Sequence, residues 1–510
     1  MFKNVVLLLA AILFLPVLFL ACQLADEEIP EPQETIIARI GDKTISQNEF
    51  IRRAEYTIRP AYAKGDNYIH RKIILNSLVA EKLLALEAEN DPYLAENEEF
   101  QDYLAGRKEQ AMRQWFYHQA AFEKSTADTN EIKTVFSTAG RTYRVAWFSL
   151  QDSSAAAEVQ KQLTAQVSFD SVYAQLSGNN EKVPEREISL NSAEHDAVLN
   201  VLYAQKPDKN DVIGPIEFEK NRFTVLKVMA WMERAAVSNA DAQQRWEDGK
   251  TWLQERKAAK TWDGVVSEIM RGKKIEFMPY TFRALVNVVG PYYLRMNEQK
   301  KEALNSALWS EAKNEVLLEN LGGQVDNLQN QPLFRVAGEI WTVADFEREM
   351  RRRPLVFRKR RIPKGEFAEQ FKLAIVDMVR DRFVTQEAYK RGYDKAPIVQ
   401  RNFNMWRDNL AALYAQNRFL QEKGKLAEYA QNHLDVIKTN LDPLIDSLQT
   451  KYAPKIEINT DAFEQIKLTR IDMFVTQRNA PFPIVVPNFP VLTTDDRLDY
   501  GRKAQSQERK

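Results

Sequence analysis

Apolar residues recur at helical spacing along most of this chain. Ile74 and Leu78 mark one such face in a stretch that the pattern predicts to be helical over residues 69–90, and residues 240–270 have the same character. Residues 142–150 differ, because β-branched and aromatic side chains dominate there, which favours a strand. The pattern predicts a mostly α protein with a small α+β insert.

A turn followed by a capped helix occurs twice. Residues 38–50 predict a strand, a Gly-Asp turn, a return strand and a helix start, and Ser46 and Glu49 have the spacing of a capping box. Residues 334–346 align with this segment without a gap, and a Thr and an Asp hold the cap positions of the second copy. A turn, a cap and a helix matched in the same order predict a duplicated helical module.

Between the two copies the pattern changes to that of a small α+β domain. The succession is a strand, two helices, a polar loop and a pair of strands, at residues 142–150, 154–166, 169–176, 179–186 and 211–229. Such an order predicts a compact two-layer unit.

The chain opens with an apolar run, residues 5–21, which stops at its only cysteine, Cys22. A charged start, an apolar middle and a small residue before the cysteine are typical of a lipoprotein signal, in which Cys22 is acylated. Two alternatives stay open. The run is near the ~17–25 residues of a membrane span, so it would serve as an uncleaved anchor, or it is an ordinary signal beside an incidental cysteine.

A lipoprotein signal predicts an exported protein, lipid-anchored on the periplasmic side of a membrane. Gln23 rather than Asp follows Cys22, which favours the outer membrane in a two-membrane cell. The whole pattern divides the chain into a signal, a tether, a helical module, an α+β domain, a helical linker, a second module and an extended Pro-rich tail. Their predicted bounds are 1–22, 23–35, 36–139, 140–235, 236–330, 331–460 and 461–510. Residues 281–320 are predicted to be helical with a break at Gly290-Pro291. The tail is predicted to be extended, either packed along a surface or free, with its last twenty residues, 491–510, disordered.

The composition limits which partners and which kinds of site this chain can have. Lys+Arg and Asp+Glu are both 71, which argues against nucleic acid as a partner because backbone binding needs a basic surplus. With Cys22 alone there is no intrachain disulfide and no Cys-based metal site. The four histidines are scattered and form no HxxxH pair. We therefore expect no metal and no cofactor.

Several segments resemble the parvulin-type (PpiC) periplasmic foldases of the SurA and PrsA families. ARIGDKTISQNEF and ILNSLVAEKLLALEAEN are similar to their N-terminal chaperone segment and long helix, and YRVAWFSL, FDSVYAQLS and DVIGPIEFEKNRFTVLKV are similar to parts of the parvulin fold. The resemblance covers roughly residues 36–275 and the repeat at 333–420. It implies a chaperone fold in which two SurA-like helical modules surround a parvulin-like domain.

The resemblance also implies a prolyl pocket lined by two histidines. The first position falls on Trp147 or its neighbours Ala146 and Phe148, and the second falls on Thr224. The only histidine in that domain, His195, lies in a loop region. Isomerisation must overcome a barrier of ~18–20 kcal/mol, so we expect this domain to be degenerate and catalytically inactive.

The remaining candidates are aromatic. We expect four helical tryptophans to contact clients, and the alternative for each is an ordinary role in core packing. They are Trp246, Trp252, Trp262 and Trp406. The expected function is a lipid-anchored chaperone that holds unfolded or partly folded envelope polypeptides. The alternatives are an active peptidyl-prolyl isomerase with a divergent pocket and a structural subunit of an envelope assembly or secretion complex.

Overall fold

The computed structural model describes residues 34–178, 182–192, 194–219, 221–306, 326–359, 362–468 and 481–503. The predicted signal, with Cys22, and the tether up to residue 33 lie outside these ranges. Within them the protein is mostly helical with three small sheets, which confirms the predicted fold class. No helix in these ranges is long and apolar enough to cross a membrane.

The first module is a β-hairpin followed by helices. Its elements are β1 (Ile36–Ile40), β2 (Lys43–Ser46), α1 (Gln47–Glu55), α2 (Tyr68–Ala88), α3 (Pro92–Glu96) and α4 (Glu98–Tyr117). Gly41 has a φ of +63°, the left-handed conformation that this hairpin turn requires. Ser46 Oγ accepts a hydrogen bond from the Glu49 N–H at 3.1 Å, as predicted. The Glu49 carboxylate instead lies 3.0 Å from Lys82 Nζ, so one half of the predicted capping box is replaced by an ion pair.

The α+β unit follows. Its elements are α5 (Thr129–Ala139), β3 (Arg141–Leu150), α6 (Ser153–Thr164), α7 (Phe169–Ser177), β4 (Glu185–Ser189), α8 (Asp196–Ala204), β5 (Val212–Glu219) and β6 (Arg222–Glu233). The strands form one antiparallel sheet in the order β4-β3-β6-β5. Apolar clusters cover both of its faces. The predicted polar loop was partly wrong, because β4 begins within it, and α8 was missed; charged side chains on edge strand β4 hide its period.

The second module repeats the first. The next elements are α9 (Asn239–Met270), β7 (Ile275–Phe277), α10 (Pro279–Ser306), β8 (Pro332–Val336), β9 (Glu339–Thr342), α11 (Val343–Arg352) and α12 (Phe367–Lys390). Here the capping box is complete, since Thr342 and Asp345 each satisfy a backbone N–H of the other. The predicted break at Gly290-Pro291 was wrong, because α10 continues through Pro291.

The C-terminal elements return to the first module. They are α13 (Pro397–Glu422), α14 (Leu426–Gln431), α15 (His433–Val436), α16 (Asp442–Tyr452), β10 (Ile456–Ile458), α17 (Thr460–Glu464) and β11 (Arg502–Lys503). Strand β10 pairs antiparallel with β1 and parallel with β11. Residues 491–503 were predicted to be disordered, which is wrong, because Val491 and Leu492 are buried in the core of the first module. Residues 504–510 lie outside the described ranges.

The two modules exchange helices. The long helix of the first module, α2, packs against α13, which comes after the second hairpin in the chain. The long helix of the second module, α12, packs against α4, which comes after the first hairpin. Strand β7 lies beside hairpin β8–β9 as β10 lies beside β1–β2. Each module is therefore completed by elements from the other half of the chain.

Candidate functional site

The positions predicted to line a prolyl pocket are occupied by packing residues. Trp147 on β3 pairs in register with Leu226, and alternation along β6 places Thr224 on the same face of the sheet. The Trp147 ring is half-buried, with the Arg186 guanidinium 4.2 Å from its centroid. Thr224 is buried, and its hydroxyl donates to the Phe148 carbonyl at 3.1 Å. Both side chains therefore have structural contacts, and neither is an acid or base suited to proton transfer near neutral pH.

His195 has a structural role. It stands at the N-cap of α8, where its Nδ1 accepts a hydrogen bond from the Ala197 N–H at 3.2 Å. Its ring lies edge-on to Phe218, with the centroids 6.1 Å apart. Among the residues that the structure describes, no three His, Cys, Asp or Glu side chains lie close enough together to hold a metal ion.

The candidate client-binding tryptophans are not on an open surface. Trp246 and Trp252 are half-buried against the core of the α+β unit. Trp262 and Trp406 are 5% and 4% exposed. The sequence predicted that these tryptophans contact clients. Instead, Trp262 and Trp406 lie in the interior, where a C-terminal segment packs against both.

We call this segment, residues 481–503, the strap. It crosses the molecule without forming helix, and only its last residues form a strand. Its apolar side chains enter three separate clusters, at Phe482, Val486 and Phe489. The sequence predicted an extended tail, either packed or free, and the structure shows a packed one.

The leading half of the strap, residues 481–487, lies across α4. Phe482 meets Trp262 edge-on at 5.7 Å, and the Arg113 guanidinium is 5.6 Å from its centroid. The carbonyl of Pro483 accepts hydrogen bonds from the side-chain amides of Gln110 and Gln114, which are exposed contacts. Val486, four residues after Phe482, packs in a cluster with α4 and α13 that contains Leu104, Met405 and Trp406.

The anchored half, residues 488–503, is held more deeply. Buried Arg53 donates to the Asn488 carbonyl at 2.8 Å, and Tyr429 donates to the Val491 carbonyl at 2.9 Å. Asn76, which is fully buried, donates to two strap carbonyls at 2.7 Å each. Side-chain donors on fixed helices thus satisfy the backbone of an extended segment that forms no ladder there.

A network of buried charges joins the first module to α13. Arg53 forms two hydrogen bonds with Glu81, at 2.8 and 2.7 Å, and both side chains are 0% exposed. Asn409 on α13 donates to Glu81 at 2.7 Å. Asp408, the residue before it, accepts from two lysines, Lys43 at 3.0 Å and Lys82 at 3.1 Å.

Three pKa values in this network are shifted by burial and by the charges beside each group. Burial alone favours the neutral form of Asp408, but Lys82 and Lys43 outweigh it and lower the Asp408 pKa. Burial likewise opposes the charge on Lys82, but Glu49 and Asp408 outweigh it and raise the Lys82 pKa. For Glu49, burial dominates over its attraction to Lys82, so its pKa is raised. The Glu81 carboxylate also raises the Glu49 pKa, whereas Asp408 lies between two lysines.

A polar cavity of about 150 Å³ opens beside this network, between the first hairpin and α13. Glu49, Lys82 and Asp408 form part of its wall, and the Glu49 side chain is 15% exposed. Five basic and four acidic side chains line it, so their charges nearly cancel.

A second buried network joins α4 to the second module. Arg353 pairs with Glu109 and Glu349, and its side chain is 8% exposed. Arg113 donates to Thr385 at 2.8 Å. Burial lowers the pKa of both arginines despite the nearby carboxylates. Arg353 belongs to a run of three arginines, residues 351–353, and it is buried with its charge matched by these acids.

These buried charges were not predicted from the sequence. Glu81 and Lys82 interrupt an otherwise apolar helical pattern, and Asp408 follows Met405 and Trp406. Charged residues are almost never fully buried unless paired. Two charges on the apolar face of a predicted helix were the available signal.

No family model and no curated protein matches this sequence. Among solved structures, the chain is similar to the foldase protein PrsA from Streptococcus pneumoniae str. Canada MDR_19A, at 13% identity and a TM-score of 0.17 over 44% of this chain and 91% of that one. It is also similar to PrsA from Bacillus subtilis, at 17% identity and a TM-score of 0.15 over 46% of this chain and 93% of that one. The first of these neighbours is a foldase, and at such TM-scores neither likeness says what this chain does.

Proposed function

We propose that this chain is an exported, lipid-anchored chaperone that holds unfolded or partly folded envelope polypeptides without covalent chemistry. One observation carries the proposal: the molecule already holds an extended polypeptide, its own strap, by inserting apolar side chains into clusters and by donating side-chain hydrogen bonds to strap carbonyls. The same two interactions are what an unfolded client offers, because its apolar side chains and backbone carbonyls are both exposed.

The α+β unit supports a role in binding rather than in catalysis. Thr224 and Trp147 have packing roles, and His195 caps a helix. In this proposal the unit contributes surface, and the acylated Cys22 places the protein at a membrane.

The test is an aggregation assay with the mature chain and a chemically unfolded protein, run beside a proline-peptide isomerisation assay. We expect suppression of aggregation at near-stoichiometric ratios and no large acceleration of isomerisation. A large acceleration that is lost on changing Trp147 and Thr224 would instead establish the isomerase. No suppression at any ratio would end the chaperone proposal.

A second measurement separates a chaperone from a structural subunit. Membranes from cells that carry a tagged chain are solubilised, and the captured proteins are quantified by mass spectrometry. A chaperone yields many substoichiometric clients, whereas a subunit of an assembly complex yields one stoichiometric partner. Cys22→Ser in the same cells is expected to release the protein from membranes, and retention of the variant would contradict the lipid anchor.

A further inference from the structure

We infer that the groove beneath the leading half of the strap is the client site, and that it accepts extended polypeptide segments whose bulky apolar residues are spaced by proline. This inference rests on the proposed function and names its substrate class. Under it, residues 481–487 are an internal occupant that a client displaces.

The groove has the features of a site for an extended chain. One end is an aromatic pocket where Phe482 meets Trp262 and the Arg113 guanidinium. The other end is an apolar seat for Val486, formed by Leu104 and Trp406 in one cluster. The two seats are four residues apart on the strap.

Between the seats, the groove recognises backbone rather than side chain. Gln110 and Gln114, one turn apart on α4, both donate to the carbonyl of Pro483. Proline lacks a backbone N–H and favours extended backbone. A proline-rich segment therefore has few N–H groups that need partners, but all of its carbonyls can accept hydrogen bonds. The occupant, Pro-Phe-Pro-Ile-Val-Val-Pro, therefore shows the chemistry of the segments that fit.

The strap is held unevenly, which makes one half exchangeable. In the leading half, Phe482 and Val486 are buried, at 8% exposure each, but Pro483 is exposed and the side-chain amides that bind its carbonyl are exposed contacts. In the anchored half, Leu492 and Thr493 are 2% and 1% exposed, and buried Asn76 fixes two carbonyls. Local opening draws on the least buried contacts first. The leading half can therefore leave while the anchored half stays.

The test fixes the leading half covalently after folding. In a Cys22→Ser background, which removes the only native cysteine, Gln114→Cys and Pro483→Cys are joined by a short, cleavable bis-maleimide. The matched control joins Lys72→Cys and Asp496→Cys, which replace an ion pair of 2.9 Å in the anchored half. The probes are a fluorescent peptide, PFPIVVPNFPVL, and reduced, carboxymethylated lactalbumin.

We expect the 114–483 link to weaken binding of both probes at least about tenfold, because a closed groove removes the competent state, and cleavage of the link to restore it. The 72–496 link is expected to leave binding unchanged. Unchanged binding after the 114–483 link overturns the inference while the chaperone proposal stands. Failure of the unlinked protein to suppress aggregation removes the proposed function itself.

Discussion

Arg53 and Glu81 are both fully buried, so each is the main compensation for the charge of the other. Taking two charges out of water costs several kcal/mol per ion, and good geometry with further hydrogen bonds is needed to offset it. Here the geometry is bidentate, and Asn409 supplies one more donor to Glu81. The pair also binds the strap through the Asn488 carbonyl, so a single residue change reaches three parts of the fold.

Glu81→Gln is expected to destabilise the first module by about 3–5 kcal/mol, because it leaves the Arg53 charge buried and unpaired. Hydrogen exchange of the α2 amides, which reports the opening free energy of this core, is the measurement. The control is Asp446→Asn, which breaks an exposed pair with Arg497 and should change stability by at most about 1 kcal/mol. Equal effects of the two variants would contradict the prediction.

Glu49 gives the pH dependence a definite sign. Its pKa in the folded protein is raised by burial above 4.5, so between that pH and the folded pKa the folded state retains a proton that the unfolded state has lost. The contribution of this group to stability is therefore full below about pH 4.5 and declines as the pH rises through the folded pKa.

Glu49→Gln, which keeps the site neutral, makes this measurable by urea denaturation from pH 4 to pH 8. The stability of the native protein minus that of the variant is expected to be constant at the acid end and to fall towards neutral pH, by about 1.4 kcal/mol per unit of pKa elevation. A difference that grows with pH would mean that the ion pair with Lys82 dominates over burial.

At the scale of elements, close helix packing decides where the modules meet. Helix α4 approaches the C-terminal end of α11 so closely that a Cβ atom on Gly106 would lie 2.1 Å from the Arg352 carbonyl oxygen. Arg352 also donates to Asp102 on α4 at 2.8 Å. The contact joins the first half of the chain to the second module, and backbone rather than a flexible side chain limits it.

Gly106→Ala is expected to destabilise the α4–α11 contact by about 1–3 kcal/mol, the usual cost of overpacking. The matched control is Gly264→Ala on α9, where no atom lies within 4 Å of the new methyl group. That change should be neutral or stabilising by up to about 1 kcal/mol, since alanine favours helix. Thermal denaturation of both variants checks the pair, and the prediction fails if Gly106→Ala is as stable as Gly264→Ala.

Local elements were predictable and their partners were not. The turn at Gly41, the Ser46 cap and the long helix α9 follow from residues a few positions apart, and the structure has them as predicted. The pairing of β1 with β10 joins residues that no local pattern connects. The burial of Trp262 and Trp406 was missed for the same reason, because the segment that packs against them comes from a distant part of the sequence.

At the scale of the whole molecule, the core of the first module belongs to both ends of the chain. Ile74 on α2 shares one cluster with Ile445 on α16 and with Phe489 in the strap. Removing late residues should therefore loosen early ones, an effect that a chain of independent domains would not show.

Phe489→Ala is expected to lower the opening free energy of β1 and α2 by about 3–5 kcal/mol, because a buried aromatic ring is lost. Pro483→Ala, at an exposed strap position, should change it by no more than about 0.5 kcal/mol. Hydrogen exchange followed by mass spectrometry resolves the two segments. Unaltered protection of α2 in Phe489→Ala would show that the first module is stable without the strap.

The pairing of β1 with β10 also means that β1 is synthesised long before its partner strand. Ile40 and Ile456 are register partners 416 positions apart, and ribosomes add roughly 5–20 residues per second. The edge of β1 therefore waits roughly 20–80 seconds for its neighbour, and for that interval it presents unpaired backbone that other chains can use. A chaperone that holds the exposed backbone of other proteins would then expose backbone of the same kind while it is being made.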